Sequence, residues 1–158
     1  MNTALLAALR IGVGLLWMRN ASWKDPGTGF GALREFTGWA IQYEVLPPYA
    51  WLVDRVVLPN FTFFGWAVLL VESALGGFLL VGLATRLWAA IGVAQTAAIS
   101  LSVLNAPNEW PWAYVLMLLA HLAILATAAG RHGGLDGVLR PVWQRSPGRL
   151  ARLMGRVS

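Results

Sequence analysis

The sequence contains no cysteine. Disulfides, thiolate-bound zinc and iron–sulfur clusters are therefore excluded on this chain. Charge is also scarce. Asp, Glu, Lys and Arg make up 12% of the 158 residues, where a soluble domain carries about a quarter. Phosphate-loop, dinucleotide-fingerprint, zinc-protease and EF-hand patterns are missing, and there is no internal repeat. The common nucleotide and metal chemistries thus have no foothold, and no nucleic acid is expected as a partner.

Apolar residues are abundant instead. They make up 58% of the chain, and the mean hydropathy is +0.61. A membrane span takes about 20 mostly apolar residues. Four stretches qualify, at about 5–21, 61–84, 87–104 and 112–130. The expected fold is an all-α integral membrane protein, a four-transmembrane-helix bundle. It forms one membrane domain over 1–137, followed by a basic tail over 138–158. The first stretch does not read as a signal peptide, because no cation precedes it and no small-x-small site follows.

The placement of charge gives an orientation. Arg131, Arg140, Arg145, Arg149, Arg152 and Arg156 follow the fourth span, and Arg86 sits in the short turn after the second. Cationic loops stay in the cytoplasm, so both termini are expected inside. Trp23, Trp39, Trp51, Trp110 and Trp112 then fall at the outer boundary, with Trp88 and Trp143 at the inner one, where indole prefers to lie.

The long outer connection is not featureless. Asp-Pro-Gly-Thr-Gly from Asp25 breaks the first helix. Phe30, Leu33, Phe36, Ala40 and Tyr43 then recur at helical spacing, with Arg34, Gln42 and Glu44 largely off that stripe. This spacing predicts an amphipathic helical segment in the first outer loop, a lid over 28–58. A second short helix is expected over Tyr49 to Leu58, before Pro59 restarts the chain. In the tail, Pro147 is placed at the first position of a basic amphipathic helix. Membrane lipid is its expected partner, while a solvated tail is the alternative.

Each span carries one polar group that hydrocarbon would reject. These are Arg10, Glu72, Gln95 and His121, in chain order. Counting along the helices puts all four in one slab of depth, with a vertical gap of roughly 5–10 Å between Arg10 and Glu72. Residues seven apart share a face: Arg10 with Trp17 and Lys24, Gly65 with Glu72, Leu79 and Arg86, Trp88 with Gln95 and Ser102, Tyr114 with His121 and Ala128. An unpaired Arg or Glu at mid-membrane costs about 2.5–3.5 kcal/mol, so Arg10 and Glu72 are expected to pair. The pair is either a register-fixing staple or part of a buried polar site. Arg19 lies opposite Arg10, near enough to the surface to snorkel. Ala8 with Gly12, Ser73 with Gly77, and Gly92 with Thr96 and Ser100 have the small-xxx-small spacing of close helix contacts.

Certain stretches are similar to a known family. They are RIGVGLLW with a later WK in the first span, VESALGGFLLVGLATRLWA through the second span and its turn, and GRHGGLDGVL closing the fourth. From Leu9 to Leu139 the chain resembles the DoxX/DoxD family of small four-span membrane proteins. FGALREFTGW and VVLPNF in the outer connection are closer to the DoxD branch. That resemblance implies the small-subunit type of a thiosulfate:quinone oxidoreductase, in a bacterial or archaeal cytoplasmic membrane. It highlights Arg10, Trp17, Lys24, Glu72, Arg86 and Asp136 without giving them roles. Gln95 and His121 come from the depth and phase of the spans.

The expected function is a membrane subunit of a quinone-linked oxidoreductase. Quinone is its ligand or substrate, and thiosulfate oxidation to tetrathionate is a candidate half-reaction. Glu72, His121 and Arg10 are the candidate catalytic residues. Trp17, Arg19, Lys24 and Gln95 are the candidate quinone or substrate contacts, Arg86 and Asp136 belong to the structural motif, and no metal site is expected. No haem, flavin or iron–sulfur cluster is expected either, because His121 and His132 lie at different depths and no flavin pattern occurs. A second redox subunit or a homo-oligomer is therefore expected. The alternatives are a non-catalytic accessory or anchoring subunit and, less attractively, a small carrier for an anion or proton.

Overall fold

The computed structural model describes residues 2–146 and 148–158, and these are helical and turn segments with no strand. Helix α1 runs from Thr3 to Ala21, with the Asn2 side chain accepting from the Ala4 N–H at its start. The expected break follows. Asp25 caps a single 3-10 turn, Pro26–Thr28, and Gly29 takes the left-handed conformation that closes it. The next helices are α2, Gly31–Gln42, and α3, Pro47–Leu52.

The chain then departs from expectation. It does not stop before the second span. A π turn, Val53–Val57, and a 3-10 turn, Leu58–Asn60, carry α3 straight into α4, Phe61–Val81. After a tight turn come α5, Thr85–Val103, and α6, Pro111–Thr127. A 3-10 turn, Ala129–Arg131, leads to α7, Leu135–Arg145, and α8, Arg149–Val157. The expected helix-starting Pro147 lies outside the described residues.

Three helical runs are long and apolar enough to cross a membrane: Thr3–Thr28, Pro47–Val81 and Thr85–Val103. Helix α6 is apolar but shorter. Leu5, Leu15, Phe63, Leu70, Val115 and Leu119 point outward and are more than half exposed. So much outward apolar surface suits a multi-pass membrane protein and not a water-soluble one. Inside, Leu6, Val13, Trp17, Leu75, Leu79, Ala89 and Ile124 form the core.

Helices α1 and α4 approach closely, but not at the small residues singled out by spacing. Gly12 and Gly77 have open space beside them. The contact is made by Gly14 and Gly76, where an added Cβ would lie 3.1 Å from the carbonyl oxygen of the other glycine. On α5, Gly92 does make a close contact, against His121.

Helix α1 is offset along α4. Its last turn reaches Glu72, since Asn20 Nδ2 donates to the Glu72 carboxylate at 3.1 Å. Glu72 lies roughly 16 Å along α4 from Phe61, at 1.5 Å per residue. The outer connection fills the space that α1 leaves. Phe30 packs on Gly65 and Trp66, and Leu33 on Phe61. The Tyr49 hydroxyl bonds the Ala98 carbonyl and Ser102 Oγ, and Asn105 donates to the Glu44 carbonyl. The segment expected to lie over the bundle is therefore built into its wall. Phe30, Leu33 and Ala40 of the expected stripe are buried, while Phe36 is partly exposed.

Candidate functional site

The buried carboxylate of Glu72 is the centre of the site. Its Oε2 lies 2.5 Å from Lys24 Nζ and accepts from Asn20, and its Oε1 accepts from Gln95 Nε2 at 3.1 Å. Lys24 sits three residues beyond α1, where the chain turns back towards the bundle. Its ammonium also donates to the Asn20 carbonyl at 2.8 Å and lies 4.2 Å from the centroid of the Trp23 ring. Both charged side chains are almost wholly sealed from solvent. Two of the three ammonium protons are thus engaged and one is left. Such a pair offsets its desolvation only while both partners are present.

The expected Arg10–Glu72 pair does not form. Arg10 is fully buried but serves the opposite end of α4. Its Nη1 donates to the Leu79 carbonyl and, at 2.7 Å, to the Leu80 carbonyl, and its Nη2 donates to the Gly133 carbonyl at 3.1 Å. The Leu79 and Leu80 carbonyls are among those that the end of α4 leaves without partners, and Gly133 lies in the turn before α7. Counting along each helix takes no account of how far α1 and α4 slide past each other. The observed offset carries Arg10 away from Glu72 and brings Lys24 to it.

Asp136 completes a clamp at the same end. Its two carboxylate oxygens accept from the N–H groups of Ala84, at 2.7 Å, and Thr85, at 2.9 Å. Its own N–H donates to the Gly82 carbonyl at 2.8 Å. A carboxylate here supports the positive end of α5. Arg10 closes the end of α4 and Asp136 the start of α5, so residues far apart in sequence fix one hairpin. Gly82 has a positive φ and lies so near Arg10 and Gly134 that an added Cβ would come within 2.8 Å of both. Gly82, Ala84 and Thr85 of the GLATR stretch and Gly134 and Asp136 of the GGLDG stretch thus meet in this clamp.

His121 is buried and does not border the large cavity. The Trp17 indole N–H donates to His121 Nε2 at 2.8 Å, and Nδ1 lies 2.7 Å from the Met117 carbonyl. Indole can only donate and a carbonyl can only accept. The ring is thus held neutral with its proton on Nδ1, and both nitrogens are engaged. This arrangement latches α1 to α6 and offers no free nitrogen for proton transfer at the cavity.

The other expected contacts divide similarly. Trp17, Lys24 and Gln95 border the cavity beside Glu72. Arg19 is exposed and does not. Arg86 is half-buried in the first turn of α5 and pairs with no carboxylate among the described residues. No group of three metal-ligating side chains occurs among the described residues.

The cavity has a volume of about 1170 Å³, bordered by α1, the outer connection, α4, α5 and α6. Leu33, Phe61, Phe64, Val68, Ile99 and Met117 are among its apolar walls. The Glu72 cluster forms one polar region. A second comprises Tyr49, Ser102, Glu109 and Tyr114, with the Tyr114 hydroxyl bonded to the Glu109 carboxylate. Asn20, Glu109 and Tyr114 had not been singled out as site residues. Asn20 sits four residues before Lys24, which was the available signal. Glu109 gave none beyond its sign. The lining carries one cation, Lys24, against two carboxylates, Glu72 and Glu109.

No protein-family model, curated protein or solved structure matches the chain.

Proposed function

We propose that the chain is a DoxD-like protein with four membrane spans, both termini on the cytoplasmic side of a bacterial or archaeal cytoplasmic membrane. In this reading its cavity takes a quinone head group, and the chain serves a quinone-linked oxidoreductase as its membrane subunit. The observation that carries the proposal is an apolar cavity of about 1170 Å³ with a carboxylate, an ammonium and two amides at one region of its wall. A quinone is a flat ring with two carbonyl acceptors and an apolar tail. The walls suit the ring and tail, and the remaining Lys24 N–H suits a carbonyl. Glu72 suits the hydroxyl of the reduced form.

Reduction of the quinone takes up two electrons and two protons. Joining two thiosulfates as tetrathionate releases two electrons, which a partner subunit would deliver. The cavity lining is short of positive charge, so an uncharged ring is favoured there over a dianion. Thiosulfate would accordingly react outside the cavity.

The test uses Trp17 and Trp23, both on the cavity wall. Titration of the purified chain with a short-tailed quinone should quench tryptophan fluorescence saturably. Ala98→Phe, which fills the cavity without touching the ion pair, should remove that quenching and leave the fold intact. Unchanged quenching in the filled variant, or none in the parent, overturns the proposal.

One observation favours a second reading, the non-catalytic accessory subunit. Both Glu72 oxygens already accept hydrogen bonds from the protein, and only Oε1 keeps a free acceptor site, an arrangement that a staple would also have. Glu72→Gln that keeps quinone turnover and loses only stability would select it.

A further inference from the structure

Contacts close several walls of the large cavity. Gly14 meets Gly76 where α1 crosses α4, and Gly92 meets the His121 ring between α5 and α6. The outer connection packs on α4 through Phe30 and Leu33, and is tied to the outer part of α5 through Tyr49 and Asn105. Helices α1 and α6 differ. The Trp17–His121 bond joins them, but beside it the cavity lining continues to the outside of the bundle.

Helical phase shows how. Ala8, Gly12 and Leu16 stand four apart on α1 and form one stripe, and Ala113, Leu116 and Ala120 form another on α6. All six border the cavity. Yet Ala8, Leu16, Ala113 and Leu116 are exposed, and Gly12 and Ala120 are half-buried. Leu16 is 67% exposed and Leu116 56%. Residues that line a cavity and also face outward mark its mouth. From there the lining turns inward to the buried Val13 and Trp17. Four of the six are Gly or Ala, so the banks are low, and nothing stands within 4 Å of a Cβ added to Gly12. None of the six is polar. With α1 and α6 as spans, this mouth faces hydrocarbon and not water. The cavity is also large, since about 1170 Å³ exceeds the roughly 300–1,000 Å³ of a site enclosing one small ligand. A ring at Glu72 would leave room for a chain.

We propose that the cavity opens sideways into the bilayer between α1 and α6, and that a membrane-dissolved, long-tailed quinone enters by this seam and leaves its tail lying in it. The occupant rests on the quinone reading of the cavity; the seam adds the route and the long tail. Such a ligand keeps its polar end at Glu72 and its apolar end in lipid.

The test is photolabelling of the full chain in phosphatidylcholine vesicles. The probe is an isoprenoid quinone with a diazirine on the first unit of its tail, and labelled sites are read by peptide mass spectrometry. Label should fall on the seam stripes of α1 and α6, and excess unlabelled quinone should remove it. Gly12→Phe, which fills the seam from a position with open space, should abolish the label at an unchanged melting temperature. Val115→Phe, outward-facing and off the cavity, should keep it. If Gly12→Phe does not fold, Ala113→Phe on the facing bank takes its place. Label on α2 and α3 instead would overturn the sideways route. Seam label that unlabelled quinone does not remove would mean that ordinary lipid fills the seam, and would overturn the occupant. A parent chain whose fluorescence no short-tailed quinone quenches would overturn the quinone reading itself, so the failures are told apart.

Discussion

The Lys24 ammonium lies 2.5 Å from the Glu72 carboxylate, where almost no solvent reaches either group. Lys24 belongs to the outer connection and Glu72 to the middle of α4, so this bond also ties the connection down. Losing one partner leaves the other charged and alone. Glu72→Gln and Lys24→Met should each cost about 3–5 kcal/mol of stability, and the double variant should cost clearly less than their sum. Thermal unfolding of the four proteins in one detergent checks this. Strictly additive losses would mean the two groups are not coupled.

Arg10 serves three backbone carbonyls and no carboxylate directly. Arg10→Leu should therefore leave buried acceptors unmatched, at about 1–3 kcal/mol. Arg10→Lys should recover only part of that, since an ammonium lacks the planar fork that reaches all three. Neither change should alter quinone binding. Chemical denaturation alongside the fluorescence titration separates the two effects.

His121 is expected to matter for stability and not for proton traffic. His121→Leu strands the Trp17 indole N–H, which should cost about 1–3 kcal/mol. The pH profile of any quinone reduction should keep its shape. A changed profile would return His121 to the proton path.

Gly92 leaves room for the His121 ring. An added Cβ would collide with the His121 ring, and the ring is held from both sides. Gly92→Ala should cost about 1–3 kcal/mol through overpacking. Gly12→Ala, facing open space on α1, is the matched control and should be close to neutral in the same unfolding assay.

Apolar runs made the long helices legible, because a span is a composition signal of known length. Helical counting also put Gln95 near the level of Glu72, and the structure joins them by a hydrogen bond. The same counting failed for Arg10, for a physical reason. It measures position within one helix and carries no information on how far neighbouring helices slide past each other. That slide is set here by Gly14 on Gly76 and by a connection that packs against α4 and α5. His121 illustrates a different limit. Its bond to Trp17 depends on two helix rotations that no single segment encodes. The clamp roles of Arg10 and Asp136 were hidden because their partners are backbone atoms, which every sequence supplies equally.

The Asp136 clamp also sets a waiting time during synthesis. The N–H groups of Ala84 and Thr85 are made about fifty residues before the carboxylate that receives them. At ordinary ribosomal speeds that interval is about 3–10 s. A nascent chain carrying both middle helices must thus hold an unfinished corner until its last helical hairpin leaves the ribosome.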